Sequence, residues 1–149
     1  MHIYPVEILA EDDVFRVEIS RRLSLLHVLW KRHVEGELLR EKYQTIFRLI
    51  DRFKPRCWLG NARALHYTTL QDARWFFDQF VFSLFASSVT KYARLEAHQS
   101  LLLLDSLSLH QKVNNYAESH PDQFEFRFFT DEGLALEWLS NCAEDSTGW

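Results

Sequence analysis

Residues 25–61 read LLHVLWKRHVEGELLREKYQTIFRLIDRFKPRCWLGN. The stretch opens on Leu25-Leu26-His27-Val28-Leu29-Trp30, apolar at nearly every position, which suits a central strand covered on both faces. The period then changes. Leu39, Tyr43, Ile46, Phe47, Ile50 and Phe53 form a helical stripe from about Glu35 to Phe53. Lys54-Pro55 stops it, because the residue before a proline is pushed out of helical geometry. Cys57-Trp58-Leu59-Gly60-Asn61 is the next strand. Strand, helix and strand in this order imply a right-handed crossover between parallel neighbours.

The pattern extends in both directions. Upstream, Phe15, Val17 and Ile19 alternate with Arg16, Glu18 and Ser20, the period of a half-buried strand. Arg21-Arg22 reads as a turn. A strand around Ile3–Leu9 is confined to a sheet edge by Pro5. Downstream, Thr68 and Gln71 have capping-box spacing, with Thr69 as the alternative cap, so a helix starts there and runs to about Ala86. Val89–Glu96 reads as a strand and about Asp105–Glu118 as a helix. Phe124, Phe126 and Phe128 alternate with polar residues in the last strand. Thr130 caps the closing helix, with Phe129 stapled on Leu134 and an inner stripe of Leu134, Ala135, Trp138 and Leu139. The expectation is one α/β domain over residues 1–149, in the order βββαβαβαβα. Its sheet is mixed and largely parallel, with antiparallel N-terminal strands and helices mainly on one face. Clean alternation predicts that one sheet face is less covered, and residues 140–149 read as a flexible tail.

Bulk composition narrows the class. The chain has 149 residues, 47% hydrophobic and 26% charged, which is normal for one globular domain. Net charge is −4, from 17 Lys and Arg against 21 Asp and Glu, so the basic excess of a non-specific nucleic-acid binder is missing. The first residues, Met1 to Glu7, show no basic region followed by an apolar run, so no signal peptide is expected. The longest apolar run, Leu101–Leu104, is too short for a membrane span. A cytoplasmic location follows, with no cofactor. The two cysteines, Cys57 in a strand and Cys142 in the polar tail, are expected to stay unpaired.

Three stretches carry a family resemblance. One is the strand ending in Trp30, followed by Glu37-Leu38-Leu39-Arg40-Glu41-Lys42-Tyr43. The second is Lys54-Pro55-Arg56-Cys57-Trp58-Leu59-Gly60-Asn61-Ala62-Arg63. The third is Phe128-Phe129-Thr130-Asp131-Glu132-Gly133-Leu134-Ala135-Leu136-Glu137-Trp138-Leu139. Together they resemble the SpoIIAA-like group of STAS domains, which are related to anti-sigma factor antagonists. The resemblance covers most of residues 12–140. It implies a superhelical βα fold and a protein-binding or sensing role rather than catalysis. In the antagonists a serine in an Asp-Ser-Ser-Gly type motif is phosphorylated. The matching stretch here, Leu65-His66-Tyr67-Thr68-Thr69-Leu70, lacks the Asp, Ser and Gly. Only Thr68 or Thr69 could stand in. The broad architecture is also similar to that of CRAL-TRIO lipid carriers, which brings in a small apolar ligand as an alternative.

The residues themselves offer few sites. Four scattered glycines build no phosphate loop. None of the seven histidines pairs at zinc-ligand spacing, so no metal is expected. His27 reads as a hydrogen-bonded, partly buried strand residue. Ser100, Asp105 and His110 lack the strained turn of a nucleophile, and Glu35, Glu37 and Glu41 read as a solvated helix face. Asn61, Arg63, His66, Thr68 and Thr69 sit in the loop after a parallel strand, where ligands of open α/β sheets bind. They form either a small polar site or ordinary loop and cap contacts. The segment Trp75–Phe85 is aromatic on more than one stripe. Phe76, Phe77, Phe80 and Leu84 can face the sheet, while Trp75 and Phe82 point away. Such a helix is buried by neighbours or presents an aromatic interface. The sequence therefore predicts a non-enzymatic interaction module, a homodimer through Trp75 and Phe82, with a protein partner or a small ligand. An apolar-ligand carrier is the alternative, and an enzyme with dispersed catalytic residues the third reading.

Overall fold

The computed structural model describes residues 5–98, 111, 115, 124–140 and 142. Three strands come first: β1 (Glu7–Glu11), β2 (Phe15–Ser20) and β3 (Leu25–Trp30). Helix α1 (Glu37–Phe53) leads to β4 (Cys57–Asn61), and α2 (Leu70–Ala86) leads to β5 (Lys91–Leu95). The described chain closes with β6 (Glu125–Phe129) and α3 (Glu132–Leu139). The six strands lie side by side in chain order. Pairs β1–β2 and β2–β3 are antiparallel, and β3–β4, β4–β5 and β5–β6 are parallel. This is the mixed α/β sheet that the change of period announces. β1 begins two residues after Pro5 and occupies the edge. The helix expected over about Asp105–Glu118 lies outside the described residues, apart from Gln111 and Asn115, which are helical.

Each boundary has a local cause. Helix α1 starts after Gly36, whose φ of 70° suits a residue without a Cβ, and ends at Lys54 in the left-handed region. The Lys54 N–H still reaches Ile50 O at 2.8 Å before Pro55 forces the chain away. Helix α2 is capped by Thr69, whose Oγ1 accepts the Asp72 N–H at 3.0 Å, so the cap lies at the alternative position rather than at Thr68. Helix α3 is capped by Asp131, whose carboxylate accepts the Leu134 N–H at 3.0 Å, and not by Thr130. That shift of one residue turns Leu134 outward, where it is 57% exposed, and Phe129 packs on Trp138 instead.

Strand parity divides the core. Val17, Ile19, Leu26, Val28, Trp30 and Trp58 face α1 and α2, packed against Leu39, Tyr43, Ile46, Ile50, Phe76 and Leu84. Trp58 stacks on Tyr92 with ring centroids 3.8 Å apart. Gly60 allows this, since a Cβ there would stand 3.2 Å from the Tyr92 ring. The opposite face packs Leu25, Cys57, Leu59, Ala93 and Leu95 against Ala135 and Leu139 of α3 and against Cys142. Two of the described helices thus share one face and α3 covers the other. The less-covered face expected from alternation is confined to the edges. In β2 the polar set is buried too: Glu18 is 1% exposed, with Oε1 3.3 Å from His27 Nδ1 and Oε2 3.4 Å from Arg16. Alternation could not separate a solvated face from one whose polar side chains contact one another.

A second correction concerns the cysteines. Cys57 and Cys142 form a disulfide, with Cα atoms 6.2 Å apart and both residues buried. Sequence spacing hid this, because 85 positions separate them and the parallel crossovers bring the chain back over β4. Within the presumed tail of residues 140–149, Cys142 is therefore part of the second core.

Candidate functional site

The carboxyl ends of β3 and β4 carry the loops 31–36 and 62–69, which meet. His33 is their hinge point. Its Nδ1 accepts the His66 backbone N–H at 3.2 Å, and its Nε2 lies 3.0 Å from Glu35 Oε2. The His66 ring stacks on it with centroids 5.4 Å apart, and the Tyr67 ring stands at 4.4 Å. The Tyr67 hydroxyl bonds the Glu35 carboxylate. That bond, followed by the one from His33, holds the Glu35 carboxyl below its usual range, and the same carboxylate pushes the Tyr67 hydroxyl up.

Beneath this layer lies a buried carboxylate. Asp72, in the first turn of α2, accepts the Gly36 N–H at 2.8 Å and Arg40 Nε at 3.0 Å. Its side chain is 1% exposed and Arg40's 33%. The Arg40 guanidinium also lies over the Trp75 ring at 5.5 Å. One side chain thereby ties the starts of both helices together.

The five loop residues do not converge. Asn61 shares the parity of Cys57 and Leu59, so it points to the α3 face. There its Oδ1 accepts Arg63 Nε at 3.0 Å, and Arg63 pairs with Glu132 at 3.6 Å. His66 joins His33 on the α1 and α2 side, Thr69 is the cap of α2, and Thr68 is half-buried beside it. The loop serves two different faces of the sheet. His33 and Asp72 are the participants that the residue patterns did not single out, and Glu35 was read there only as part of a solvated helix face. Asp72 carried a signal, because Thr69-x-x-Asp72 has capping spacing with Asp in place of Glu. His33 and Glu35 carried none beyond their place after a central strand. Chemically the cluster is a hydrogen-bonded carboxylate, imidazole and phenol on the surface. Among the described residues no three His, Cys, Asp or Glu side chains are placed to hold a metal. Ser100, Asp105 and His110 lie outside the described residues.

Among the described residues a groove lies elsewhere. An open groove of about 750 Å³ runs between α1 and α2, lined by Phe47, Ile50 and Phe80 with Arg48, Asp51 and Ser83. Phe47 and Phe80 stack in it at 4.2 Å. Beside it, on the outer face of α2, Phe82 is 56% exposed. Trp75 is half-buried, held by Arg40 and by the edge of Phe80 at 4.9 Å. Under α2 the apolar void enclosed by Phe76, Leu84, Phe85 and Phe126 is about 10 Å³, room for one water at most. No described helix is long and apolar enough to cross a membrane.

The chain matches no protein-family model, no curated protein and no solved structure.

Proposed function

We propose that this chain is a non-catalytic protein-interaction module of the STAS kind, working as a homodimer joined through the α1 and α2 face. The groove between these helices, together with the exposed Phe82 ring on the outer side of α2, carries the reading. It is apolar at its floor and bears both signs of charge at its rim, with Arg48 and Asp51 one helical turn apart. A two-fold axis across such a rim sets Arg48 against the partner's Asp51, so the surface is self-complementary. Phe82 is 56% exposed, so burying the remainder of each ring contributes about 1–1.5 kcal/mol. The sequential parallel strands with α1 and α2 on one face are in keeping with the βα superhelix that the resemblance implies. Among the described residues the void beneath α2 is about 10 Å³, which supports this reading over a carrier with its ligand in that place.

Sedimentation of wild type and of Phe82→Glu tests it. The wild type is expected to run as a dimer at micromolar concentration and the variant as a folded monomer. Identical sedimentation of the two, either as monomers or as dimers, would remove this interface.

A further inference from the structure

The two turns at the opposite end of the sheet hold most of a basic patch. The β2–β3 turn supplies Arg21 and Arg22. The last turn of α1 supplies Arg52, and the segment after it Lys54 and Arg56. Backbone bonds fix the turns against each other: Arg56 N–H and Cys57 N–H both reach Ser24 O, at 2.9 and 3.0 Å. Phe53 joins them from the side, with the Arg21 guanidinium 5.8 Å and the Arg52 guanidinium 5.2 Å from its ring centroid. Stacking on one ring orders two planar forks side by side.

These five cations meet two carboxylates. Arg21 pairs with Glu7 at 3.3 Å and Lys54 with Asp51 at 3.9 Å, both exposed. Arg22, Arg52 and Arg56 have no carboxylate partner among the described residues, and Arg56 Nε is buried without a hydrogen bond. Taking the five cations and two carboxylates from the chain's 17 and 21 leaves a balance of −7 everywhere else. A basic cluster thus sits on a chain whose other charges sum to −7, a contrast that the net charge conceals.

We propose that this pole is a docking surface for an acidic segment of a partner polypeptide. Four of the five cations are arginines, whose forks take carboxylates two bonds at a time. A bilayer is disfavoured because, among the described residues, none of the exposed large apolar side chains, Ile8, Tyr67, Leu70, Phe82 and Leu134, belongs to either turn to insert. A long nucleic acid would meet the acidic remainder of the surface, whereas a short peptide spans only the pole. The inference does not depend on the dimer, whose state is read separately.

The test uses the full chain and a labelled octaglutamate peptide, followed by fluorescence anisotropy. Saturable binding at about 50 mM salt, lost near 500 mM, is expected, because a ten-fold rise in salt shortens the screening length about three-fold. Arg22→Glu/Arg52→Glu should weaken binding on the order of tenfold with an unchanged melting temperature, while Arg32→Glu/Arg74→Glu leaves it intact. Arg22→Gln/Lys54→Gln takes the same role if the reversal does not fold. The proposal is overturned if both double variants bind like wild type, or if octaglutamate does not bind. It is equally overturned if phosphatidylserine vesicles or a single-stranded oligonucleotide bind more tightly than the peptide.

Discussion

Replacing Asp72 by alanine should unfasten α1 from α2. The carboxylate is 1% exposed and accepts two donors, the Gly36 N–H at 2.8 Å and Arg40 Nε at 3.0 Å. Without it the Gly36 N–H is stranded under the loop, a loss of about 1–3 kcal/mol for an unsatisfied buried donor. A negative charge also leaves the first turn of α2, which costs about 0.3–1 kcal/mol more. Arg40 is one-third exposed and recovers water, so its share is small. The expected loss is about 3 kcal/mol in urea unfolding followed by tryptophan fluorescence, and Asp72→Asn should lose less because its amide oxygen still accepts one bond. A cycle with Arg40→Ala isolates the ion pair and should return under about 1 kcal/mol of coupling. An Asp72→Ala variant within about 0.5 kcal/mol of wild type would mean that the carboxylate does not join the helices.

Two further outcomes follow from the same contacts. Burial works against the Asp12 charge, but the Lys42 ammonium and the N–H groups of Phe15 and Val14 outweigh it and hold this carboxyl below its ordinary value of 3.8. A carboxylate depressed in this way stabilises the fold above its unfolded pKa and loses that contribution as pH falls through the folded one. The urea midpoint should therefore fall between about pH 4 and pH 2, and fall less in Asp12→Asn; equal acid dependence would remove the assignment. The Cys57–Cys142 bond closes a long loop, for which chain entropy gives about 4.5 kcal/mol. Protein purified without reductant should show no free thiol under denaturing conditions, and Cys142→Ser should lower the melting temperature; two titratable thiols would contradict the pairing. Disulfides rarely persist among reduced cytosolic thiols, so the thiol count also bears on the cytoplasmic setting expected from the sequence.

The sheet was legible because its signals are local. Five apolar residues among the six from Leu25 to Trp30 marked a strand buried on both sides, and the period of α1 together with Lys54-Pro55 fixed the next crossover. What stayed hidden depends on distance. Glu18 alternates with Val17 as a solvated residue would, yet it is buried beside His27 across the ladder and Arg16 two residues back in its own strand. Cys142 reads as tail until α3 folds back over β4. The site behaved likewise. His66 and Thr69 were marked by position, but parity sends Asn61 to the opposite face, and His33 enters from a loop more than thirty residues away. The basic pole was invisible in a net charge of −4, because its arginines come from two turns that meet only in the fold.

The central claim is that this chain works as a self-associating module rather than as a carrier of something else. Native mass spectrometry of freshly purified protein addresses that in one spectrum. The account expects a dominant species at twice the 17.8 kDa of one chain, with no retained small molecule. A monomer carrying a stoichiometric apolar ligand would contradict it.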